Sequence, residues 1–536
     1  MTRQTFLRSA AVLALAAAAF VMPVKSDAVQ VTAFQQAVAE NVSRDDEIAA
    51  FYRDRGFAPI WTGDSPADFA RRTALIEALA SARHHGLPQR SYNQDALLAR
   101  MASVRNGFDR GALEVQLTEL YLDFARDMQT GVIDTPQRVH REIVREIPRR
   151  DAGFYLSGLL SDDPSAFIAS LVPQSHEYTR LMKAKMRLEH AVSHGGWGAT
   201  VPSRKMEPGD SGQGVVALRD RLIRMGYLKP TVTASYDAAI TEAVATFQDR
   251  HGLTADGIAG ASTIAEINVA PQDRLKSVMV AMERERWINR PDGLGDRHIL
   301  VNITDFKARI FDHGKLTFET RSVVGHQELD RQTPEFSDEM DHMVINPSWF
   351  VPRSIIVREY LPKLRANPGA VSHLEITDSR GRVVSRNRSF AGYTERNFPF
   401  AMRQRPGPRN ALGTVKFMFP NKHNIYLHDT PAKSLFSREV RTFSHGCVRL
   451  NDPHEFAYAL LAPQTDDPVG FFHRTLRTGQ ETRVNLETPV PVHLIYRTAF
   501  TTPKGDVQFR RDVYDRDASI WRALSAAGVE IGGIQS

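Results

Sequence analysis

The sequence predicts an α+β protein of several domains, in which helical segments come first and a mostly-β domain follows. Its 536 residues are enough for two to four domains of the usual ~150 residues. Apolar residues recur three or four positions apart up to about residue 270, whereas short apolar runs separated by turn residues follow from about residue 275. The hydrophobic share of 42% and the charged share of 24% are those of globular domains, so a disordered or fibrous chain is excluded.

The first 28 residues have the pattern of a secretory signal. Arg3 and Arg8 precede the apolar run 10–21, and the tripeptide 26–28 (Ser-Asp-Ala) has the small residues that signal peptidase favours. The run is well short of the ~20 apolar residues that span a bilayer, so cleavage is favoured over a membrane anchor. We therefore expect residues 1–28 to be removed, and the mature protein to lie outside the cytoplasm with no membrane span.

Residues 29–204 are predicted to form a helical scaffold. The segments 69–83 and 113–128 are rich in Ala, Leu, Arg and Glu and carry apolar residues three or four apart. Turn residues at 86–88 and 131–136 separate the helices. This region assembles no evident chemical site, so we expect it to support the rest of the chain.

Residues 205–270 are predicted to form a separate small unit of three helices. The apolar faces of its first two helices comprise Val215, Leu218, Leu222 and Met225, and then Ile240, Val244 and Phe247. Gly226 ends the first helix, and the glycine-rich run 252–260 precedes a third helix that begins near Ser262. This order resembles the three-helix peptidoglycan-binding module of bacterial wall hydrolases. A plain helical spacer is the alternative.

Residues 275–500 are predicted to form a compact, mostly-β domain with few helices. The expected strands are 298–303, 307–311, 316–318, 321–324, 343–346, 415–419 and 424–428. Residues of about 355–405 are too long and irregular for an ordinary loop and are predicted to form a lid. Residues 501–536 follow as a C-terminal segment.

The chain contains one cysteine, Cys447, which cannot pair within its own chain. An isolated thiol is either an inert buried group or a reactive one, and a reactive thiol needs a base or a positive charge nearby. His428 ends an apolar strand and His445 lies two residues before the thiol, so either imidazole could accept its proton. Gly446 lets the backbone approach closely, which would allow nearby amides to hold an oxyanion, and Arg449 could bind an anionic group.

Residues 444–450 read Ser-His-Gly-Cys-Val-Arg-Leu and follow the histidine at position 428. This pattern resembles the signature of the L,D-transpeptidase catalytic domain, also called the YkuD domain. The blocks that resemble the large Gram-negative branch of that family are 324–325 with 333–336, 346–355 and 406–413. With the scaffold and the binding module, the resemblance covers most of the mature chain.

The resemblance implies a role for each residue of the motif. Cys447 is expected to be the nucleophile, and His428 the general base, oriented through the backbone carbonyl of Asp429. His445, Gly446 and the amide of Cys447 are expected to form the oxyanion and substrate region. The implied substrate-binding residues are Tyr426, Arg449, Ser444, Trp349 and Asn346. Packing is an equal expectation for Trp349.

The residue after the base departs from the family pattern. Family members often have Gly or Ser there, whereas this chain has Asp429. Because the backbone carbonyl orients the base, the change should be tolerated. A carboxylate at this position could raise the pKa of the His428 imidazole, which we treat as a hypothesis.

The reaction implied by the resemblance is acyl transfer between peptidoglycan stem peptides in the periplasm. The thiol attacks the third residue of a tetrapeptide stem, releases D-Ala, and passes the acyl group to a diaminopimelate amine to give a 3–3 cross-link. A lid would favour the amine by excluding water. The same thiol is expected to react with carbapenems. No cofactor or metal is required, and other cell-wall synthesis proteins are conceivable partners.

Several alternatives stay open at the level of sequence. Cys447, His445 and His428 could instead be zinc ligands, although the close spacing of the first two is awkward for one metal ion. The domain could be catalytically dead and serve only to bind the wall. The acceptor could also be an outer-membrane lipoprotein, or water, which would make the protein a carboxypeptidase.

Other features are given no functional role. The net charge of +6 is spread along the chain and is not the footprint of a nucleic-acid-binding protein. Trp61, Trp197 and Trp287 are expected to be core or interface anchors. The basic cluster of Arg145, Arg149 and Arg150 is expected to form a solvated face.

Overall fold

The structure is a computed structural model that describes residues 31–531. The signal predicted for residues 1–28 therefore lies outside the described residues. The helices of the N-terminal part are α1 (Ala33–Asn41), α2 (Asp46–Asp54), α3 (Pro66–Ser81), α4 (Gln94–Ala102), α5 (Gly107–Thr130), α6 (Pro136–Val139), α7 (Ala152–Leu159), α8 (Pro164–Ser170) and α9 (His176–Ser193). The prediction of a helical N-terminal region is confirmed.

Local sequence explains where these helices begin and end. Ser65 caps α3 by accepting a hydrogen bond from the backbone N–H of Asp68, whose carboxylate accepts one from the Ser65 N–H in return. Pro66 fills the first helical position, where a missing N–H costs nothing. The helix α5 follows the Asn106 cap and stops at Gly131, whose φ of 97° suits glycine.

Three short helices form the small unit that was predicted after the scaffold. They are α10 (Gln213–Arg224), α11 (Ala238–Arg250) and α12 (Ala261–Ile267). Their predicted apolar faces enclose a separate core, with Met225 half-buried at its margin. The next helix, α13 (Pro271–Trp287), packs against α9 and is buried on all sides from Val278 to Trp287. The predicted start of the β domain at residue 275 thus falls inside α13.

The C-terminal half is built on a large mixed sheet. Its strands, with those of two smaller sheets, are β1 (Arg297–Asn302), β2 (Lys307–Asp312), β3 (Lys315–Gly325), β4 (Phe336–Ile345), β5 (Trp349–Phe350), β6 (Glu375–Thr377), β7 (Ala401–Gln404), β8 (Val415–Met418), β9 (Leu427–His428), β10 (Thr442–Ser444), β11 (Val448–Leu450), β12 (Thr482–Ile495), β13 (Ala499–Thr501) and β14 (Val507–Phe509). In the described chain the large sheet has nine strands in the order β10-β3-β11-β9-β8-β4-β12-β1-β2, and β2 also pairs with β3. Helices α16 (Pro453–Leu461) and α17 (Pro468–Arg477) pack against it.

The strand predictions are largely confirmed, with one difference near the site. The strand predicted at 424–428 is reduced to β9, Leu427–His428. Asn424 has a φ of 54°, and the Asn421 side chain donates to the carbonyl oxygen of Ile425 at 2.8 Å. These two features make the preceding residues a turn instead of a strand.

The segment predicted as a lid folds as a small layer of its own. Together with the preceding residues 349–354, it forms the sheet β5-β7-β6 and a helix in three parts, α14 (Arg353–Ile355), a π-turn (Ile356–Tyr360) and α15 (Leu361–Ala366). Its apolar residues, among them Phe390 and Phe398, form a separate cluster with the neighbouring Trp349.

The C-terminal residues are integrated into the helical part. The β13–β14 hairpin and α18 (Arg516–Ala526) share an apolar cluster with α9 and α13, to which Phe509, Ile520 and Leu524 contribute. The predicted boundary at residue 500 falls inside β13. Tertiary packing therefore joins the end of the chain to the region near residue 180.

Two expectations about single residues have different outcomes. Trp61 and Trp287 are buried core residues, as predicted, and the Trp61 indole N–H donates to Thr118 Oγ1 at 2.9 Å. The expectation of a solvated basic face is wrong for Arg145, which is buried and donates to Ser337 Oγ at 2.6 Å and to the Leu494 carbonyl oxygen at 2.9 Å. Its guanidinium is stabilised by docking on the sheet, which the local sequence could not indicate.

Within residues 31–531, no helix is long and apolar enough to cross a membrane.

Candidate active site

Three side chains on adjacent strands form a row in the large sheet. Lys416 of β8 lies opposite His428 of β9, and His428 is in register with Arg449 of β11. Residues in register on neighbouring strands point to the same face of a sheet, so two cations flank the imidazole. Cys447 directly precedes β11, which places its backbone beside this row.

The loop that carries Cys447 is held by hydrogen bonds on both sides. Ser444 Oγ donates to the carbonyl oxygen of Cys447 at 2.5 Å and accepts from the Gly446 N–H at 3.1 Å. Thr333 Oγ1 donates to the Gly446 carbonyl oxygen at 2.7 Å. Gly446 has a φ of 110°, and a Cβ there would lie 3.1 Å from Ile425 Cδ1, so glycine is required.

The Cys447 thiol is half-buried and protonated at neutral pH. Its Sγ lies 3.6 Å from the carbonyl oxygen of Asn424 and hydrogen-bonds with the Tyr426 phenol. Burial raises the pKa of the Cys447 thiol to about 11. The hydrogen bonds from Tyr426 and the charges of Arg449 and Lys416 act in the opposite direction, because they stabilise the thiolate.

The His428 imidazole is buried and neutral. Its Nδ1 lies 2.5 Å from the Asp429 carbonyl oxygen, and since a carbonyl only accepts, Nδ1 carries the proton and Nε2 has a free lone pair. Burial, and next the charge of Arg449, lower the pKa of His428 to about 3. In the described chain no hydrogen bond joins this imidazole to the Cys447 thiol.

The hydrogen-bond partners of the Asp429 carboxylate are groups other than the imidazole. The carboxylate accepts from the Thr414 N–H at 2.9 Å and from Lys433 Nζ at 2.9 Å. Burial opposes ionisation, but these hydrogen bonds hold the pKa of Asp429 below its ordinary value. The carboxylate favours a protonated His428, yet burial and Arg449 outweigh it. The Asp429 carboxylate thus raises the pKa of His428, as hypothesised, but burial and Arg449 lower it by more.

His445 contacts the predicted lid instead of the thiol. Its Nε2 lies 2.5 Å from Oε1 of Glu359, which belongs to the π-turn. The same carboxylate oxygen is 3.3 Å from Arg331 Nη2. Arg358, one residue earlier, forms an ion pair with Asp330. Two ion-pair contacts thus connect the predicted lid to the edge of the site.

Two other predicted site residues have side chains engaged in internal contacts. Asn346 is 8% exposed, and its Nδ2 donates to the carbonyl oxygens of Leu476 at 3.0 Å and Gln480 at 3.2 Å. Trp349 is 9% exposed and packs edge-on against Tyr360, with ring centroids 6.4 Å apart. A substrate contact for either residue stays a prediction.

Sequence reasoning gave no site role to Lys416, or to Thr333, although Thr333 begins the block 333–336. Lys416 interrupts the apolar alternation of Val415, Phe417 and Phe419, which placed its side chain on the opposite face of the strand from the core. That signal was available, but the pairing of β8 with β9 was not. Thr333 is far from Cys447 in sequence and only the fold brings it to Gly446.

Cys447, His445 and His428, the zinc ligands of the alternative hypothesis, do not form a metal-binding group. Within the part of the chain that the structure describes, no group of three or more His, Cys, Asp and Glu side chains could hold a metal ion. His445 is paired with Glu359, and Nδ1 of His428 is committed to a carbonyl oxygen.

Three family models match successive parts of the chain. Residues 46–184 match a scaffold domain, residues 211–267 match a "putative peptidoglycan binding domain", and residues 296–491 match the L,D-transpeptidase catalytic domain (YkuD). The third match contains the row of Lys416, His428 and Arg449 and the thiol of Cys447.

A curated protein of Haemophilus influenzae, named "Putative L,D-transpeptidase", is 33% identical to this chain over 226 residues. The alignment covers 41% of this chain and 45% of that protein, so less than half of the relative is spanned. Crystal structures of L,D-transpeptidases from Xylanimonas cellulosilytica and Stackebrandtia nassauensis are each 14% identical. They cover 56% and 55% of this chain and 98% and 97% of their own, with TM-scores of 0.17 and 0.21.

Proposed function

Residues 296–491 of this chain belong to the L,D-transpeptidase catalytic-domain family, and on that premise we propose that the protein forms 3–3 cross-links between peptidoglycan stem peptides. The observation that carries the proposal is the position of the chain's one thiol, Cys447, beside a neutral imidazole and two cations. A peptidoglycan-binding family match at 211–267 supports the polymer as substrate.

In the proposed first step Cys447 loses its proton to Nε2 of His428 as the substrate binds. The thiol and the imidazole are both neutral at rest, so the transfer creates a thiolate and an imidazolium from an uncharged pair. Burial opposes this charge separation, and Lys416 and Arg449 offset part of its cost by stabilising the thiolate electrostatically.

The thiolate then attacks the carbonyl carbon of the third residue of a tetrapeptide stem. The oxyanion is held by the backbone N–H of Cys447, because the Gly446 N–H already donates to Ser444 Oγ. Ser444 and Thr333 fix the geometry of this loop. The bond to D-Ala breaks, the D-Ala nitrogen takes the proton from His428, and a thioester on Cys447 remains.

In the second step a diaminopimelate amine of another stem attacks the thioester carbon. His428 accepts the amine proton and returns it to the departing Cys447 sulfur, so the enzyme is regenerated and an amide cross-link is formed. Tyr426, which contacts both the thiol and the lid cluster, is the side chain we assign to positioning the stem.

The lid, residues of about 355–405, is proposed to limit the access of water to the thioester. Its contacts through Glu359 with His445 and Arg331 support this role, because they join the insertion to the residue two positions before the nucleophile. Hydrolysis would give a tripeptide, whereas a protected thioester lasts until an amine arrives.

The proposed place of action is the periplasm, after removal of residues 1–28. Carbapenems are proposed to inhibit the enzyme by acylating Cys447, since their strained carbonyl is open to attack by the same thiolate.

The proposal is tested by incubating the mature protein with purified disaccharide-tetrapeptide and identifying products by mass spectrometry. We expect a cross-linked dimer that has lost one D-Ala, and no product with Cys447→Ala. Tripeptide monomer alone would show hydrolysis and overturn the cross-linking assignment. The same dimer from Cys447→Ala would overturn the assignment of the nucleophile.

A further inference from the structure

A cleft of about 850 Å³ lies at the junction of three parts of the chain. Its walls come from the C-terminal half of α9 and the residues after it, from the ends of α10 and α11, and from the β13–β14 hairpin. None of its lining residues belongs to the candidate active site. The cleft is therefore a second candidate site, separate from the thiol.

The cleft depends on docking of the small helical unit against the C-terminal hairpin. Arg250 forms an ion pair with Asp506 at 2.9 Å, and Arg510 donates to the Arg250 carbonyl oxygen at 3.0 Å. The ring of His251 stacks on Phe247, with centroids 3.8 Å apart, and faces Phe509 at 5.5 Å. These contacts fix the two walls relative to each other, so the cleft belongs to the assembled chain.

The lining of the cleft is strongly cationic. Arg187, Arg224 and Lys504 come from three different walls and are all exposed. None of the three forms an ion pair with a carboxylate of residues 31–531. Among the described lining residues, Asp506 is the one carboxylate, and it is already paired with Arg250. Three unpaired cations that converge on one cavity favour an anion with several carboxylates.

Aromatic side chains give the cleft an apolar component. Trp197 and Tyr227 are both half-buried in its lining. The guanidinium of Arg221 lies 5.9 Å from the Trp197 ring, and that of Arg250 lies 5.5 Å from the Tyr227 ring. Each ring is thus in contact with a guanidinium and still forms part of the cavity wall. Such apolar surface favours a ligand that has methyl and methylene groups between its charges.

We propose that this cleft binds the carboxylate-bearing stem peptides of peptidoglycan away from the active site. The inference rests on the proposed function, which makes that polymer the substrate. The inference adds a second binding site for the polymer. This site requires α9 and the β13–β14 hairpin as well as the 211–267 module. A stem held in the cleft would keep the enzyme on the polymer between successive reactions at Cys447.

The test measures binding of the full mature chain to insoluble peptidoglycan, with Cys447→Ala in every variant to prevent turnover. The cleft variant is Arg187→Ala/Arg224→Ala/Lys504→Ala. The matched control is Arg204→Ala/Lys205→Ala/Lys229→Ala, which removes the same charge from exposed positions outside the cleft, in and next to the small helical unit. We expect the apparent Kd to rise about tenfold for the cleft variant and less than about twofold for the control.

Competition identifies the ligand. Free stem peptides are expected to displace the protein from the polymer, whereas soluble glycan strands without peptides are not. An equal loss of binding in the two triple variants would overturn the inference, because total charge would then explain it. Displacement by the glycan strands alone would overturn the assignment to stem peptides.

A parallel assay separates this inference from the proposed function. With Cys447 intact, the cleft variant is expected to convert soluble disaccharide-tetrapeptide at the wild-type rate, since its three substitutions are outside the active site. Absence of turnover in the wild type would refute the proposed function, while the binding comparison would still decide whether the cleft binds stem peptides. Loss of soluble turnover in the cleft variant alone would contradict a site separate from the thiol.

Discussion

At the scale of residues, the chemistry depends on a pair that is uncharged at rest. The thiol of Cys447 has a pKa of about 11 and the imidazole of His428 a pKa of about 3, both for the same reason, which is burial. A neutral pair does not spontaneously form a thiolate at neutral pH. Lys416 and Arg449 lower the free-energy cost of forming a transient thiolate, because both stabilise its negative charge.

The first prediction concerns the pH dependence of thiol alkylation. Because the pKa of Cys447 is raised, the thiolate fraction increases across the whole range from pH 7 to 10, so the rate with iodoacetamide should rise about tenfold per pH unit. The single cysteine makes the measurement specific, by mass spectrometry of the intact protein. A rate that levels off near pH 8 would contradict the raised pKa.

The second prediction concerns the cations of the same row. Arg449→Gln and Lys416→Gln should each slow alkylation at pH 8 several-fold, by raising the pKa of the Cys447 thiol further. Arg483→Gln removes an exposed arginine of the same sheet and serves as the control, with no expected change. If all three variants react alike, the electrostatic role of the row is wrong.

The third prediction concerns Gly413, which packs against Asp429, the residue whose carbonyl oxygen orients the His428 imidazole. A Cβ at Gly413 would lie 2.2 Å from Asp429 Oδ2, and its φ of 62° already favours glycine. Gly413→Ala should therefore displace Asp429, whose carbonyl orients His428, and destabilise the fold by about 1–3 kcal/mol. We expect the cross-linking rate to fall about tenfold, measured beside a denaturation curve.

Gly392→Ala is the matched control for that substitution. Nothing lies within 4 Å of a Cβ at Gly392, so stability and activity should both be unchanged. A Gly413→Ala protein as active as the control would show that Asp429 can shift without affecting the base.

At the scale of elements, the lid helix contains a break with an identifiable cause. Pro362 lies two residues after the π-turn Ile356–Tyr360, and a proline inside a helix removes one hydrogen bond and crowds the preceding turn. The wider π-turn accommodates this crowding and carries Glu359, which contacts His445. The helix break and the contact with the site therefore occur in the same turn.

The fourth prediction is that Glu359→Gln loosens the lid. The substitution keeps the size of the side chain but removes its charge, so the ion pair with Arg331 is lost and the contact with His445 is weakened. More water should reach the thioester, and the ratio of tripeptide to cross-linked dimer should rise about two- to fivefold. Mass spectrometry of the products gives this ratio directly.

Glu395→Gln is the control for the lid, because Glu395 is an exposed carboxylate of the same segment. It should leave the product ratio unchanged. An unchanged ratio in Glu359→Gln as well would remove the support for a water-excluding role of this contact.

At the scale of the whole molecule, a buried ionic network joins the C-terminal helix to the site. Arg516 of α18 forms an ion pair with Glu335 at 3.0 Å, and Glu335 also contacts Arg284 of α13 at 3.3 Å. Arg516 further donates to the carbonyl oxygen of Thr333 at 2.7 Å, and Thr333 in turn holds Gly446. Thr333 thus links Arg516 of α18 to the loop that carries Cys447 through two successive hydrogen bonds.

The fifth prediction follows from the burial of that network. Arg516 is fully buried, so Arg516→Ala would leave Glu335 short of a partner and should lower the free energy of unfolding by about 3–5 kcal/mol. Arg522→Ala, on the exposed side of the same helix, should change it by less than about 0.5 kcal/mol. Urea denaturation of both variants makes the comparison, and equal stabilities would contradict the structural importance of the network.

The sequence by itself determined the order of the helical and β parts, the separate three-helix unit, and the pattern of Cys447, Gly446 and His428. These features are local, because helical periodicity, turn residues and a short motif are set by residues close together in the chain. It also indicated a resemblance to the L,D-transpeptidase catalytic domain, whose family model matches residues 296–491.

Only the tertiary structure decided which distant residues surround the thiol. Strand pairing brings Lys416 to His428, the fold brings Thr333 to Gly446, and docking on the sheet buries Arg145, which the sequence had placed in solvent. The pKa values of Cys447 and His428 are likewise set by burial, which depends on every element packed around them. Register, docking and burial are properties of the assembled chain, so residues far apart in sequence carry no local sign of them.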